Sequence, residues 1–290
     1  MAEAAPRRLL EREVLVKAVP PVLLQTLFFA VPLVLTLLLT FQGTKYFRLV
    51  WTWDFDNWVI VLTKAHHWNT MAHTVVMAAI TTLLCLLIAF PVAYALSTRI
   101  REFQNHVKIL IVFAFLVDAV LKTFGWVLFL DEKGGLNWLM ERLGADPGFQ
   151  NILFTDWATL LGMVYNLLPF MIFTLFLATE NVDRDLLRAA YDAGASKLRA
   201  FYEVTLPLCR PGTYAGCILV YLLSLGVFLE PKVLGGGKNP MAAELIRQTF
   251  ETRINWPLGA GLTVVLMVVA VFSVLLFTRL MGLQRRGAMP

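Results

Sequence analysis

Charged residues are scarce in this chain. Asp, Glu, Lys and Arg make up 16% of its 290 residues, whereas 58% are hydrophobic. A soluble domain usually has about 25% charged and about 45–50% apolar residues, so the composition excludes an ordinary soluble fold and favours an integral membrane protein. The net charge of +5 is then better explained by basic cytoplasmic loops than by a nucleic-acid partner. We therefore expect contacts with membrane lipid and none with nucleic acid.

Cysteine and histidine are also few, and their spacing indicates neither a disulfide framework nor a metal site. Two of the three cysteines lie inside apolar runs, which is typical of small buried residues. The three cysteines are Cys85, Cys209 and Cys217. His66, His67 and His73 precede an apolar segment without the Cys or acidic companions of a metal site. We interpret them as an interfacial polar cluster and predict no metal.

The familiar catalytic signatures are absent from the sequence: neither G-x-S-x-G nor H-E-x-x-H occurs. The segment Gly235–Asn239 superficially resembles a phosphate-binding loop. That loop would need glycine at position 232 and Ser or Thr at position 239, where this chain has Lys232 and Asn239. We therefore predict a turn here, no catalytic residue, no enzyme activity and no cofactor bound by this chain.

Long apolar runs dominate what is present, and a bilayer-spanning helix needs about 20 such residues. Six segments qualify or nearly qualify: Val19–Phe41, Met71–Thr98, Val107–Leu130, Trp157–Thr179, Thr213–Leu229 and Leu258–Met281. The first is too long for a signal peptide, and no small-x-small cleavage site follows it. The sequence thus predicts an all-α membrane protein of about six transmembrane helices. One domain (19–281) is expected between cytoplasmic tails at 1–18 and 282–290.

Lys and Arg residues predict the orientation of these helices. The two tails and the second and fourth loops hold 15 of them, and the other three loops hold 9. Cytoplasmic segments carry the excess of positive charge. Both termini and the fourth loop, at about 180–212, are therefore predicted to be cytoplasmic.

The fourth loop has the punctuation of a short helix pair. Asp183 can cap a first helix that stops at Gly194, and Ser196 can cap a second. The second helix would carry one apolar stripe and would be limited by two prolines. The stripe is Leu198, Phe201 and Val204, and the prolines are Pro207 and Pro211. Periodicity alone favours a helix lying on the membrane and a docking element equally.

The order A-A-x-x-x-G, nine residues, V-x-L-P in this loop resembles the EAA loop of ABC importer permeases. It is carried by Ala189, Ala190, Gly194, Val204, Leu206 and Pro207. The stretches LLGMVYNLLPFMIF, VLGGGKNPMAAELI and NWPLGAGL are similar to the spermidine/putrescine-type branch of that family. The resemblance covers roughly Met71 to the C-terminal tail.

The resemblance implies a bacterial inner-membrane permease of the type I (MetI-like) fold with a cytoplasmic coupling helix. It also implies a second permease subunit forming a heterodimer, two ATPase subunits that hold ATP and Mg, and an extracytoplasmic solute-binding protein. The residues implied to contact the ATPase are Arg188, Ala189, Ala190, Asp192, Gly194, Ala195, Leu206 and Pro207. ATP hydrolysis would then belong to a separate subunit.

Two departures from the family pattern bear on function. Arg188 stands where the EAA loop usually has Glu. Polyamine permeases usually read G-E-F and then P-E in the fifth span, where this chain has Gly226-Val227-Phe228 and Pro231-Lys232, with Glu230 as a new acid. A polyamine or related small organic cation and an anionic or zwitterionic solute both remain open as substrates.

Charged and polar residues inside predicted spans mark a candidate translocation path. Asp118 and Lys122 are four residues apart, so they could pair on one helix face or form a polar wall. Trp126 follows one turn later, and Tyr165 and Asn166 precede a proline that should kink the fourth span. Glu230 completes this predicted set.

Two other classes remain to be compared with the importer. An ion-gradient-driven secondary transporter or channel fits six spans and an intramembrane charge pair, but it leaves the patterned helix pair unexplained. An integral-membrane enzyme would need a catalytic constellation that the sequence does not have.

Overall fold

The structure is a computed structural model that describes residues 5–45, 48–98, 109, 113–144 and 152–286. Its helices are α1 (Ala5–Leu39), α2 (Asp56–Thr63), α3 (Ala65–Thr98), α4 (Ala119–Leu130), α5 (Gly135–Arg142), α6 (Asp156–Glu180), α7 (Arg184–Asp192), α8 (Lys197–Ala200), α9 (Leu206–Leu225), α10 (Leu229–Val233), α11 (Ala242–Glu251) and α12 (Trp256–Arg286). Strands β1 (Gly43–Lys45) and β2 (Arg48–Val50) form an antiparallel pair, and a π-helical turn (Phe201–Thr205) joins α8 to α9. The all-α prediction is confirmed.

Within the described residues, five helical stretches are long and apolar enough to cross a membrane. They are Val19–Leu39, Ala65–Ser97, Asp156–Glu180, Lys197–Leu225 and Trp256–Arg279. Each overlaps one of the predicted spans, although α3 begins six residues earlier than the sequence suggests. The five spans agree with a multi-pass membrane protein.

The third predicted span differs from expectation. Positions 107, 108 and 110–112 lie outside the described residues, and the remainder is interrupted. A helical turn at 113–116 ends before Asp118, whose backbone is extended (φ −59°, ψ 140°) and which begins α4. The prediction of one continuous helix through Asp118 is therefore wrong.

The chain forms two compact units, of which the first comprises Met1–Lys64 and Thr249–Val265. Within this unit the Phe41 ring contacts Trp53, Phe55 and Trp58. The Asn57 amide donates to the carbonyl of Gln42 at 2.9 Å, which fixes α2 against the end of α1.

The second unit comprises Ala65–Gln248 and Leu266–Pro290 and contains the candidate site. Its main apolar core lies where α3, α6 and α9 pack together. The buried members are Cys85, Ala89, Ala93, Leu96, Leu167, Met171, Leu175, Phe176, Cys217 and Val220. Small residues on α3 and flexible Met and Leu side chains on α6 allow a close fit.

Two glycines permit the close crossing of α6 and α9. Gly212 and Gly216 are four residues apart, the small-xxx-small spacing that brings membrane helices together. A Cβ atom on Gly212 would lie 2.3 Å from the Cβ of Ala178, and one on Gly216 would lie 2.5 Å from Thr174 Oγ1. The crossing therefore has no room for a side chain at either glycine.

We expect Gly216→Ala to destabilise the chain by about 1–3 kcal/mol, because the added methyl group overpacks the α6–α9 crossing. The matched control is Gly125→Ala in α4, where a Cβ atom would have no described residue within 4 Å. Thermal unfolding of the purified variants in detergent measures both effects. Equal midpoints for the two variants would contradict the close crossing.

Candidate functional site

The fourth loop folds as the predicted helix pair. The Asp183 side chain caps α7 by accepting from the Asp185 N–H at 2.9 Å. The helix ends at Gly194 (φ +84°), whose N–H donates to Tyr191, while the Ala195 N–H donates to Ala190. These two bonds form the Schellman motif of a helix C-terminus. The Ser196 hydroxyl caps α8, so all three predicted helix ends are confirmed.

This helix pair, α7 with α8 and the π turn, carries six of the eight residues predicted to contact an ATPase, and Leu206 and Pro207 follow in α9. Arg188, Ala189, Asp192 and Gly194 are exposed, whereas Ala190, Ala195, Leu206 and Pro207 are half-buried. Arg188 forms an ion pair with Asp185 at 3.2 Å, and both side chains are more than three-quarters exposed. Such an exposed pair adds little stability, so the Arg188 charge remains accessible.

In the second helix of the pair, Leu198 of the predicted apolar stripe is 70% exposed, whereas Phe201 and Val204 are half-buried. One sequence prediction is corrected here. Pro207 and Pro211 do not end the helix, because helical structure continues from Lys197 to Leu225. The π turn directly before Pro207 widens the backbone, which accommodates a residue that cannot donate an N–H.

Phe201 attaches the helix pair to the membrane helices. Its ring packs edge-on against Phe90 and Tyr94 of α3, with centroids 5.8 and 5.0 Å away. Because α8, the π turn and α9 are continuous, one helical segment runs from the helix pair to Leu225 at the far end of α9.

A buried carboxyl group lies just beyond that far end. Glu230 of α10 is 5% exposed, and its Oε1 accepts from the Asn166 amide at 2.6 Å. The Asn166 Nδ2 is also 3.5 Å from the hydroxyl of the buried Thr123. Asn166 Oδ1 is buried and has no hydrogen-bond partner among the residues that the structure describes. The structure thus brings two predicted path residues, Asn166 and Glu230, into direct contact.

Aromatic rings stand next to this polar contact. Trp126 and Tyr165 pack edge to face with centroids 5.5 Å apart, and Tyr165 is 48% exposed. Tyr165 neighbours Asn166 on α6, and Trp126 follows Thr123 by three residues on α4. Four of the six predicted path residues therefore lie together, and we refer to Thr123, Trp126, Tyr165, Asn166 and Glu230 as the polar–aromatic site.

Helix geometry places this site deep in the membrane. Asn166 is ten residues from the start of α6 at Asp156, which corresponds to about 15 Å or half of a typical hydrocarbon core. Glu230, in hydrogen-bond contact with it, lies at the same depth. The chain is non-helical between α9 and α10, and such backbone is tolerated within a bilayer where it is covered by protein or lines a cavity.

Asp118 and Lys122 do not form the ion pair that was one of the two alternatives left open by the sequence. Asp118 Oδ1 accepts from the Val120 N–H at 2.7 Å as the cap of α4. Lys122 Nζ donates to the carbonyl of Ala114 at 2.8 Å, across the interruption of the third span. The self-neutralised pair is therefore wrong, because the helix is broken at Asp118. The role of both residues in the path stays a prediction.

A second acid, Glu244 of α11, is buried outside the candidate spans. Burial raises the pKa of its carboxyl group, but hydrogen bonds from Arg247 and Gln248 and the charges of Arg247 and Lys232 outweigh it, so that the pKa is lowered. Arg247 Nε donates to Glu244 at 2.8 Å. The positive charge of Lys232 is thus partly balanced by the negative charge of Glu244.

One cluster of polar side chains was not predicted from the sequence. His73 Nε2 of α3 lies 3.3 Å from Asp156 Oδ2, and the Asn239 amide donates to both carboxylate oxygens of Asp156. His73 is thus part of a polar cluster, but its partners are 83 residues apart in the chain, and no local pattern could have joined them.

The turn predicted at Gly235–Asn239 is present, and Gly236 and Gly237 both have positive φ.

Comparison with known proteins identifies the family to which this chain is similar. A family model described as binding-protein-dependent transport system inner membrane component matches residues 107–287. The chain is 34% identical over 244 residues to the spermidine/putrescine transport system permease protein PotB of Escherichia coli (strain K12), covering 84% of this chain and 88% of that protein. It is 33% identical to PotB of Haemophilus influenzae over 263 residues, with coverages of 89% and 91%.

A more distant relative is the diacetylchitobiose uptake system permease protein DasB of Streptomyces coelicolor, 28% identical over 74% of this chain and 69% of that protein. A crystal structure of a bacterial ABC transporter that imports the acidic polysaccharide alginate matches with a TM-score of 0.74 and 15% identity, covering 97% of this chain and 99% of that one. At that identity the likeness shows the fold alone. The chain belongs to the family of binding-protein-dependent transport system inner membrane components, as a multi-pass permease subunit of an ABC importer.

Proposed function

We propose that this permease imports a small organic cation, with polyamines as the first candidates. The observation that supports this most directly is the polar–aromatic site at membrane depth. Its buried Glu230 carboxyl group contacts Asn166, whose Oδ1 has no hydrogen-bond partner within the described part of the chain. Carboxyl and amide oxygens accept hydrogen bonds from ammonium groups, and the faces of Trp126 and Tyr165 attract cations.

The relatives support the same substrate class. The two PotB proteins are named for spermidine and putrescine transport, and both molecules are amines. The acids that this chain lacks near Gly226 and Lys232 are replaced in our proposal by Glu230. An anionic solute is less well supported, since Lys122 donates to a carbonyl and Lys232 is partly balanced by Glu244.

The rest of the transport cycle involves other subunits in our proposal. A second permease forms a heterodimer with this chain, an extracytoplasmic protein delivers the solute, and two ATPase subunits hold ATP and Mg. The helix pair at Arg184–Thr205 docks on one ATPase, and α9 carries its movement to the polar–aromatic site. Both termini and the helix pair are then cytoplasmic, as the Lys and Arg distribution predicts.

Uptake by the complete transporter in proteoliposomes tests the substrate class. We expect ATP-dependent uptake of labelled putrescine or spermidine, with competition by unlabelled diamines. A diol of the same carbon chain, which has the length but no charge, is the matched control and should not compete. Uptake of a dicarboxylate in place of the diamines would refute the cation proposal.

A further inference from the structure

A short segment connects the helix of the buried Glu230 to Asp156, the residue at which α6 begins. We refer to residues Leu234–Ala242, which follow α10, as the outer strap. The Leu234 and Gly235 N–H groups both donate to the Glu230 carbonyl, at 2.8 and 3.1 Å. The Gly237 N–H donates to Pro231 at 3.1 Å. The outer strap is therefore a hydrogen-bonded continuation of α10.

The first residue of the outer strap, Leu234, is held by a residue just before α6. Phe154 is in the left-handed region (φ +65°), and its N–H donates to the Leu234 carbonyl at 2.7 Å. Leu234 is fully buried. Its side chain and that of Glu230 both pack against Gly162, where an added Cβ atom would overlap Leu234 Cδ1 and lie 3.1 Å from Glu230 Cγ. The Leu234 side chain thus packs beside the intramembrane carboxyl group.

The far end of the outer strap has two attachments of different character. The Ala242 N–H donates to the hydroxyl of Thr74 at 2.8 Å, and Thr74 is fully buried. Asn239 donates to Asp156, which also faces His73, and these side chains are partly exposed. Exposed polar contacts contribute less than buried ones and open more readily. The Asp156–Asn239 contact is therefore the one that gives way first.

We propose that Asp156 is a positioning residue for Glu230: through Asn239 it holds the outer strap closed over the polar–aromatic site. This inference rests on the proposed function of that site. Asp156 begins α6, and Asn166, ten residues later on the same helix, holds the Glu230 side chain. One helix thus braces both ends of the piece formed by α10 and the outer strap. Opening the site from the outside requires the Asp156–Asn239 contact to separate.

Reagent access to position 230 tests the proposal. Glu230→Cys is introduced into a chain whose three native cysteines are changed to alanine, and the assembled transporter is exposed to a membrane-impermeant methanethiosulfonate reagent from the outside. We expect Asn239→Ala to speed labelling about tenfold, because the closed strap is less populated. Asn239→Asp should speed labelling further, since its carboxylate repels Asp156.

Two controls separate positioning from general loosening. Lys238→Ala changes the adjacent exposed strap residue and should leave the labelling rate unchanged. Ala89→Cys reports on the buried core of the second unit and should stay unreactive in every strap variant. Unchanged labelling in both Asn239 variants, or equal gains at positions 89 and 230, would overturn the proposal. Labelling requires no transported solute, so failure of the cation proposal in uptake assays would be distinguishable.

Discussion

Replacing Glu230 with Gln is expected to reduce uptake of an ammonium-bearing solute by about 10- to 100-fold without lowering the thermal midpoint of the chain. Hydrogen bonds to charged groups contribute about 1.5–3 kcal/mol, and each 1.4 kcal/mol corresponds to a factor of ten in affinity. Gln has the shape of Glu and keeps an oxygen that can accept from Asn166. The substitution therefore removes charge while preserving the local packing.

The expected combination of lost uptake and retained stability distinguishes a functional carboxyl group from a structural one. A carboxyl group in the membrane interior is costly to the fold, and Glu230 has Asn166 as its hydrogen-bonding partner at 2.6 Å. Removing the charge there should not weaken the fold.

Glu244→Gln is the matched control, because Glu244 is equally buried but is bonded to Arg247 and Gln248. We expect that variant to lose about 1–3 kcal/mol of stability, since the substitution removes the negative charge from the ion pair with Arg247. Its uptake per folded transporter should be retained.

Uptake in proteoliposomes and thermal unfolding in detergent measure both variants. If Glu230→Gln transported at the wild-type rate, the carboxyl group would not act through its charge. If it instead unfolded at a lower temperature with normal uptake, Glu230 would be a structural residue. The cation proposal would lose its main support in either case.

Local patterns gave accurate predictions wherever the structure depends on neighbouring residues. Asp183, Gly194 and Ser196 end or begin helices as expected, because capping bonds join residues two to five positions apart. Apolar length also located five spans. The predicted helix end at Pro207 was wrong, because sequence rules treat proline as a helix terminator. A helix can continue through Pro207 here because a π turn precedes it and because proline is tolerated in membrane helices.

Contacts between distant parts of the chain could be predicted only in part. Asn166 and Glu230 were both candidates as polar residues in apolar runs, but nothing in the sequence indicated that they touch. The spacing of Gly212 and Gly216 was a readable signal for helix crossing that the sequence analysis did not use. The Asp156–Asn239 contact depends on tertiary packing and has no local signal.

The helix pair supports the second large prediction: Gly194→Pro should abolish association with the ATPase while leaving membrane insertion intact. Gly194 has φ +84°, and its N–H donates to Tyr191. Proline fixes φ near −65° and has no N–H, so the turn between α7 and α8 cannot form. Gly194→Asn should retain association, because Asn tolerates the left-handed conformation. Co-purification with the ATPase subunits measures this loss.

Gly144→Pro supplies a matched control on a different loop. Gly144 also has a positive φ (+86°), follows helix α5 and donates its N–H to Glu141. Proline should disturb that helix end as much as the one at Gly194, yet the ATPase should still co-purify because Gly144 lies in a loop predicted to be extracytoplasmic. Equal loss in both variants would mean that proline acts through misfolding, and retained association with Gly194→Pro would exclude the helix pair as the docking element. Loss of association with Gly194→Pro alone would place the coupling at the turn after α7. Because Arg188 of α7 is exposed beside Asp185, the groove of the ATPase would then have to accommodate a positive charge.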